Sequence, residues 1–323
     1  MSARDAAEYL GFSRRSEGSV LELYRKHGIT PPKRVNQYGA PLEERDAADE
    51  AIDEMLGYAP PSQGDVAAGN ASDADVETAV ILSDLHFPFH DSRAIGVALA
   101  FIEDTKPETI YLAGDIVDFY ALSRFSKDAR RELELQTELD TTVEFLDALR
   151  RSAPLSRIVF IEGNHEARLS AYLQDPMRRA LSGLRVLDIR ELLSLDVFGI
   201  EYVDSIARTA FAEEGIVKVG HFNAVNKFSA YTAKNLLDRY MCSLVQGHTH
   251  RLGTHYRTVA GLGTFVAAEN GCLCQLEPEY ASNPDWQHGF TVITRVKESN
   301  RFHLQQVPIV DYEALFGHRR YTA

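Results

Sequence analysis

From residue 77 onward, short apolar runs alternate with longer stretches of helical periodicity. The runs TAVILSD (78–84), TIYLAGD (109–115), RIVFIEG (157–163), GIVKVGH (215–221) and CSLVQGH (242–248) do not alternate apolar with polar residues. They therefore predict strands buried on both faces. Helices are predicted between them, over roughly 91–104, 128–151 and 229–240. A layered α/β fold follows, in which ligands sit beyond the carboxyl ends of the strands. Each predicted strand stops at a side chain able to hold a metal: Asp84, Asp115, Asn164, His221 and His248.

The pattern ahead of residue 77 is different. Ser2 with Asp5 caps one short helical pattern that stops at Gly11, and Ser19 with Glu22 forms a capping box for a second that stops at Gly28. PLEERDAADEAIDEMLG predicts a third, with Leu42, Ala48, Ile52 and Met55 on one side and Gly57 as its stop. The Pro, Gly, Ser and Asp of YAPPSQGDVAAGNASDADVE are those of a flexible linker. The predicted organisation is a helical module over 1–58, a linker over 59–76 and a catalytic domain over 77–323.

Charge sharpens this division. The net charge is −13, yet residues 1–38 hold seven Lys or Arg against four Asp or Glu. Residues 39–79 hold one against eleven, and the remainder 26 against 32. The mildly basic module fits a helix-turn-helix, with Arg14, Arg15, Arg25, Lys26, Lys33 and Arg34 meeting DNA phosphates. It fits a hairpin for homo-oligomer assembly equally well. At 323 residues, with 45% apolar and 25% charged content, the chain has the composition of a globular protein. It shows no apolar run of membrane-span length and no secretory opening, so the expected location is cytoplasmic and no membrane partner is expected. Cys242, Cys272 and Cys274 lack paired zinc-knuckle spacing. The two thiols of CLC are expected to act as small apolar side chains.

The strand ends carry the chemistry. DLH offers Asp84 and His86, whose spacing of two turns both side chains the same way along an extended chain. GDIVD offers Asp115 and Asp118, GNHE offers Asn164 and His165, VGHF offers His221, and GHTH offers His248 and His250. Carboxylates, imidazoles and an amide oxygen are the ligand set of borderline divalent metals, and seven ligands suit two ions.

These blocks, in this order over about residues 79–276, resemble the calcineurin-like metallophosphoesterase superfamily, with the texture of its phage and prophage members. The resemblance implies a four-layer αββα sandwich with the site at the strand ends. It implies one metal on Asp84, His86 and His250, another on Asn164, His221 and His248, and Asp115 bridging them. Manganese is the expected metal, with iron, zinc and nickel as alternatives. Two such cations, about 3.5–4 Å apart, clamp the oxygens of an in-line displacement and generate hydroxide from a shared water. His165 resembles the non-ligating histidine that protonates the leaving oxygen, with Asp118 orienting its ring.

The implied activity is metal-dependent hydrolysis of phosphodiester or phosphomonoester bonds in a nucleotide-type substrate. The alternatives are a DNA nuclease fed by the N-terminal module and a metal-binding regulatory protein without turnover. Protein Ser/Thr phosphatases of the superfamily continue the second block as Gly-Asp-x-Val-Asp-Arg-Gly. Here Phe119 stands in place of that arginine, which disfavours the branch. Arg168, Arg124 and Arg251 are the candidates to supply the missing positive charge to substrate. The 55 residues between His165 and His221 are expected to be mostly helical and to wall the site, carrying Arg168, Arg178, Arg179, Arg185, Arg190 and Arg208.

Overall fold

The runs that lack alternation form strands in the interior of two stacked sheets. The computed structural model describes residues 75–123, 134–203, 210–212, 217–278, 283–297, 299 and 301–323. In chain order these form β1 (Val76–Leu82), α1 (Ser92–Thr105), β2 (Thr109–Ala113), α2 (Leu135–Ser152), β3 (Arg157–Ile161), α3 (Ala167–Leu173), α4 (Ile189–Leu192), β4 (Ile200–Val203) and β5 (Ala210–Ala212). There follow β6 (Val217–Gly220), α5 (Tyr231–Tyr240), β7 (Ser243–Gln246), β8 (Gly253–Val259), β9 (Gly263–Glu269), β10 (Gly289–Val296), β11 (Phe302–Val310), β12 (Glu313–Phe316) and β13 (Arg319–Thr322). The predicted helical module, the linker as far as residue 74, and Arg124 and Arg208 lie outside the described residues.

One sheet has the order β13-β12-β11-β10-β1-β2-β3-β4 and the other β5-β6-β7-β9-β8. Strands β1 to β4 run parallel, as do β6, β7 and β9. Alternate residues of β1, β2 and β3 feed two different cores. Ala79, Ile81, Tyr111, Ala113, Val159 and Ile161 meet Val217, Val219, Val245, Val266 and Ala268 between the sheets. Val80, Leu82, Ile110, Leu112, Ile158 and Phe160 pack outward against Phe101, Ile102, Phe145, Leu146 and Leu149 of α1 and α2. On the far side Ala233, Leu236 and Leu237 of α5 cover Leu244 and Ala267. The layers are therefore α, β, β, α, as the resemblance implies. Burial on both faces is why these strands carry no polar alternation, each fully buried aliphatic side chain contributing about 1.5–3 kcal/mol.

Local signals set the helix ends. Asp91 caps α1 by accepting from the N–H groups of Arg93 and Ala94 at 3.0 and 3.1 Å. Lys106 closes it in a left-handed conformation. Strands β8 to β13 have no counterpart among the predicted runs. In β11, buried Leu304, Val307 and Ile309 alternate with exposed His303, Gln305 and Pro308. Such a half-buried strand breaks the apolar run on which the prediction relied. The segment after His165 is helical only as far as Leu192, after which β4 joins the edge of the larger sheet.

The ends of β2 and β3 are joined by one carboxylate. Glu166, buried, accepts from the backbone N–H groups of Asp115 (3.0 Å), Ile116 (2.7 Å), Val117 (3.1 Å) and Gly163 (2.7 Å). The approach is so close that a Cβ on Gly163 would lie 2.2 Å from Asp115 Oδ1. On Gly114, at φ +86°, a Cβ would lie 2.6 Å from His221 Nδ1. Glu166→Ala leaves buried N–H groups without an acceptor, each unmade bond costing about 1–3 kcal/mol. We expect the metal-free protein to lose roughly 3–5 kcal/mol, the cost of breaking a buried charged network. In a domain of this size that lowers Tm by about 6–20 °C. An unchanged melting curve for the variant would show that the staple is dispensable.

Candidate metal centre

Every strand that points at the site ends one to three residues before its polar side chain. β1 stops at Leu82, β2 at Ala113, β3 at Ile161, β6 at Gly220 and β7 at Gln246. The chain then turns through left-handed backbone: φ is 56° at Asp84, 53° at His86, 54° at Asp115, 77° at His248 and 59° at His250. Asp84 and His86 do converge, but by these turns and not along an extended chain, which corrects the reason the spacing of two suggests. Left-handed residues with side chains cost on the order of 1–3 kcal/mol each and persist where surrounding bonds fix them. Here Asp84 N–H donates to Gly114 O at 3.0 Å, His86 N–H to Asp115 O at 3.0 Å and Phe87 N–H to Ile116 O at 2.8 Å.

The side chains meet around Asp115 Oδ2. It lies 3.1 Å from His221 Nε2, 3.7 Å from His165 Nε2 and 3.9 Å from His86 Nε2. Its other oxygen, Oδ1, accepts from the backbone N–H of His165 at 2.8 Å. His221 Nε2 is 3.1 Å from both Asn164 Oδ1 and His248 Nδ1. On the other side His250 Nε2 is 3.2 Å from His86 Nε2 and from Asp84 Oδ1. All seven predicted ligands are thus brought together. Three of them, Asp115 with His221 and His248, hold their donor atoms close enough to share an ion, and so do His86 and Asp115 with His165, which was not among the predicted ligands.

Four of the inward-facing rings are held from behind, which fixes the nitrogen each presents. His86 Nδ1 is 3.0 Å from Asp118 Oδ2, and His221 Nδ1–H donates to Ala113 O at 3.0 Å. His250 Nδ1 faces Cys274 Sγ at 3.7 Å. His165 Nδ1–H donates to the backbone oxygen of Asp118 at 2.9 Å, with the Asp118 carboxylate at 3.2 Å. Asp118 therefore serves two rings, and its carboxylate is nearer to His86 than to the predicted His165.

The donor set suits a divalent cation. Lone-pair atoms of two buried carboxylates, four imidazoles and an amide face each other at about 3 Å, an arrangement that only protons or cations relieve. Protons show the same demand. Burial opposes ionisation of Asp115 and Asp84, yet the imidazoles of His165 and His221 hold Asp115 well below the usual carboxylate range, and His250 lowers Asp84. Burial would lower His221 and His250, but Asp115 raises the first to about 9 and Asp84 the second to about 10. His248, buried beside a positive His221, falls to about 4. His86 is lowered by burial and by His165. His165 is raised in spite of burial by Asp115 and Asp118. Glu166 is pushed up to about 7 by burial and by Asp115, against the pull of His221 and of its backbone donors.

The candidate arginines separate by position. Arg168 reaches the cluster, with Nη1 donating to Asp118 O at 2.8 Å and Nη2 lying 2.9 Å from His165 Nε2. Arg251 is buried and donates to the carbonyls of Lys227 and Asn226 at 2.9 and 2.7 Å, so it anchors the loop after His221. Arg178 is engaged by Asp175 at 3.2 Å and lies over Tyr172, and Arg190 lies over Tyr202. Three residues at the centre escape sequence reasoning. Glu166 was visible as the third polar residue of GNHE but had no assigned partner. Cys274 was visible only as half of CLC, and it joins His86 and His250 as a third group able to share an ion. Trp286, whose ring centroid lies 4.1 Å from that of His250, carried no signal beyond being the one tryptophan of the chain.

The chain is 28% identical over 228 residues to the Gene 54 protein of Mycobacterium phage L5, covering 67% of this chain and 88% of that protein. It is 29% identical over 244 residues to the Gene 54 protein of Mycobacterium phage D29, covering 72% and 93%. Among solved structures, Vacuolar Protein Sorting 29 from Cryptosporidium parvum aligns with a TM-score of 0.41 at 14% identity, covering 77% of this chain and 99% of that one. Residues 78–252, more than half of the sequence, match the calcineurin-like phosphoesterase family, and the chain belongs to that family.

Proposed function

We propose that the protein is a metal-dependent phosphoesterase that hydrolyses phosphodiester or phosphomonoester bonds in a nucleotide-type substrate. The observation that carries this reading is the gathering of Asp84, His86, Asn164, His221, His248 and His250 around Asp115, whose Oδ2 lies 3.1 Å from His221 and 3.9 Å from His86, beside a half-buried His165. Asp84, His86 and His250 would hold one cation and Asn164, His221 and His248 a second. Asp115 would be shared through Oδ2, since Oδ1 is taken by the His165 N–H. Divalent cations, manganese being the one that the family resemblance implies, would supply Lewis acidity and a nucleophile available at neutral pH.

The remaining chemistry belongs to side chains. His165 keeps Nε2 toward the cluster because Nδ1–H is committed to Asp118 O. Nε2 is therefore the atom that gives a proton to the departing oxygen. The Asp115 and Asp118 carboxylates favour the protonated ring that this role requires. Arg168, now resting against Nε2 at 2.9 Å, would turn to a phosphoryl oxygen when one arrives, and so release His165 to carry its proton. Acidic residues exceed basic ones from residue 80 onward by six, a balance that favours small phosphate esters over polynucleotides.

Three measurements test this reading. Assayed with manganese against aryl phosphate mono- and diesters, cyclic and linear nucleotides and DNA, the protein should cleave phosphodiesters. Chelation should abolish the activity and manganese restore it; full activity in excess chelator, with no metal in the protein, would sink the proposal. Asp115→Asn should lose both metal and turnover. His165→Ala should keep its metal by elemental analysis and lose roughly 10²–10⁴-fold in kcat. An emptied site in His165→Ala would instead make His165 a ligand.

A chain starting at Asp75 keeps β1 and the ion pair between Glu77 and Arg295. It should fold, bind metal and cleave small phosphodiesters. If residues 1–38 deliver DNA, only the full-length protein should bind duplex, more weakly as salt rises. If they assemble the protein, light scattering should show a smaller particle for the shorter chain. A shorter chain that is unfolded would place the domain boundary elsewhere.

A further inference from the structure

The rings of the centre are arranged in a row. Arg168 Nη2 lies 2.9 Å from His165, and the ring centroids then run His165 to His86 at 4.4 Å, His86 to His250 at 5.0 Å and His250 to Trp286 at 4.1 Å. The middle of the row is closed to solvent, since His86 and His250 are each 5% exposed. Its two ends, Arg168 with His165 and Trp286, are half-exposed. A substrate whose phosphoryl group sits at the cluster thus meets a guanidinium in one direction and an indole in the other.

The backbone beside the indole is tied to the turn of His250. Gln287 N–H donates to His250 O at 2.9 Å, Leu252 N–H to Gln287 Oε1 at 3.1 Å and Cys272 N–H to Gln287 O at 3.0 Å. Gln287 Nε2 also donates to Asp285 Oδ1 at 2.9 Å. The residues on both sides of Trp286 are therefore tied, directly or through Gln287, to the turn that presents His250. A pre-positioned flat side chain loses little freedom when a ligand covers it.

We infer that Trp286 is the specificity platform of this site, on which the aromatic ring of the substrate's organic group, a nucleobase or aryl group, stacks while its phosphoryl group occupies the cluster. The inference rests on the phosphoesterase reading and adds the identity of the group beyond the phosphate. Base stacking on an aromatic side chain tolerates any base, because every base presents a π face. It follows that the site discriminates phosphate esters with an aromatic group from those without one, and discriminates weakly among bases.

Because Trp286 is the one tryptophan in the sequence, indole emission reports on this ring alone. The full-length protein is loaded with zinc, a closed-shell ion, and titrated with adenosine 5′-monophosphate and with ribose 5-phosphate, which differ only in the base. Both are also tested as inhibitors of bis(4-nitrophenyl) phosphate hydrolysis by the manganese form. The nucleotide should quench the emission and bind about tenfold or more tightly than the sugar phosphate, the scale of one stacked base. Trp286→Leu should bring the two inhibition constants together by weakening the nucleotide alone, with metal content kept, and Trp286→Phe should retain most of the preference. Equal binding without quenching, while the diester is still hydrolysed, overturns the platform and leaves the phosphoesterase reading standing. Loss of metal and of both ligands alike in Trp286→Leu overturns it too, by showing that the indole only supports His250. No hydrolysis and no competition from either compound would remove both readings together.

Discussion

The Glu166 carboxylate is the constraint on which the centre depends. Three consecutive N–H groups after β2 and one after β3 converge on it, so the two strand ends cannot move independently. Asp115, His165 and Asn164 are all placed by those two ends. The absence of a Cβ at Gly114 and Gly163 lets the loops approach closely enough for one carboxylate to reach both. Unpaired backbone N–H groups are costly once buried, so the staple gives an otherwise irregular corner a single low-energy arrangement.

What the staple holds is unfavourable in itself. Five of the seven converging side chains sit on left-handed backbone, and buried donor atoms face each other at hydrogen-bond distance. Neither feature stabilises the fold. Both are tolerated because two apolar cores, one between the sheets and one beneath α1 and α2, lie directly behind the strand ends. The raised imidazoles of His221 and His250 against the lowered carboxylates of Asp115 and Asp84 show where the imbalance lies: positive charge is required at the positions that cations would take.

Sequence pattern reached the parts of this design that repeat along the chain. Strands β1, β2, β3, β6 and β7 were legible because burial on both faces leaves uninterrupted apolar runs. Their candidate ligands were legible because each follows such a run within four residues. The edge strands β10 to β13 were not, since one face is wet and residues such as Gln305 and Pro308 interrupt the run. Asp84 and His86 were identified with the wrong local geometry, because a spacing of two describes an extended strand and says nothing of left-handed turns. Glu166, Cys274 and Trp286 depend on contacts across 51, 24 and 36 positions, and no local period encodes those. Arg251 shows the converse: adjacent in sequence to GHTH, it points away to the Asn226 and Lys227 carbonyls.

The asymmetry between the ends of the ring row bears on how substrate is chosen. On the proposed reading, phosphate recognition at Arg168 and His165 would be electrostatic and common to every phosphate ester, setting affinity without setting identity. Discrimination must come from a group that meets the part of the ester beyond phosphorus. Phe119 occupies the position where an arginine would add a further phosphate contact, and it is fully buried, so position 119 itself offers no charged anchor. The indole of Trp286, next to Gln287 whose bonds tie the backbone there to the turn that carries His250, stands at the other end of the row of ring contacts from the guanidinium. A rigid aromatic surface there favours esters with flat substituents while leaving the geometry of the cluster untouched, which separates the choice of substrate from the chemistry done on it.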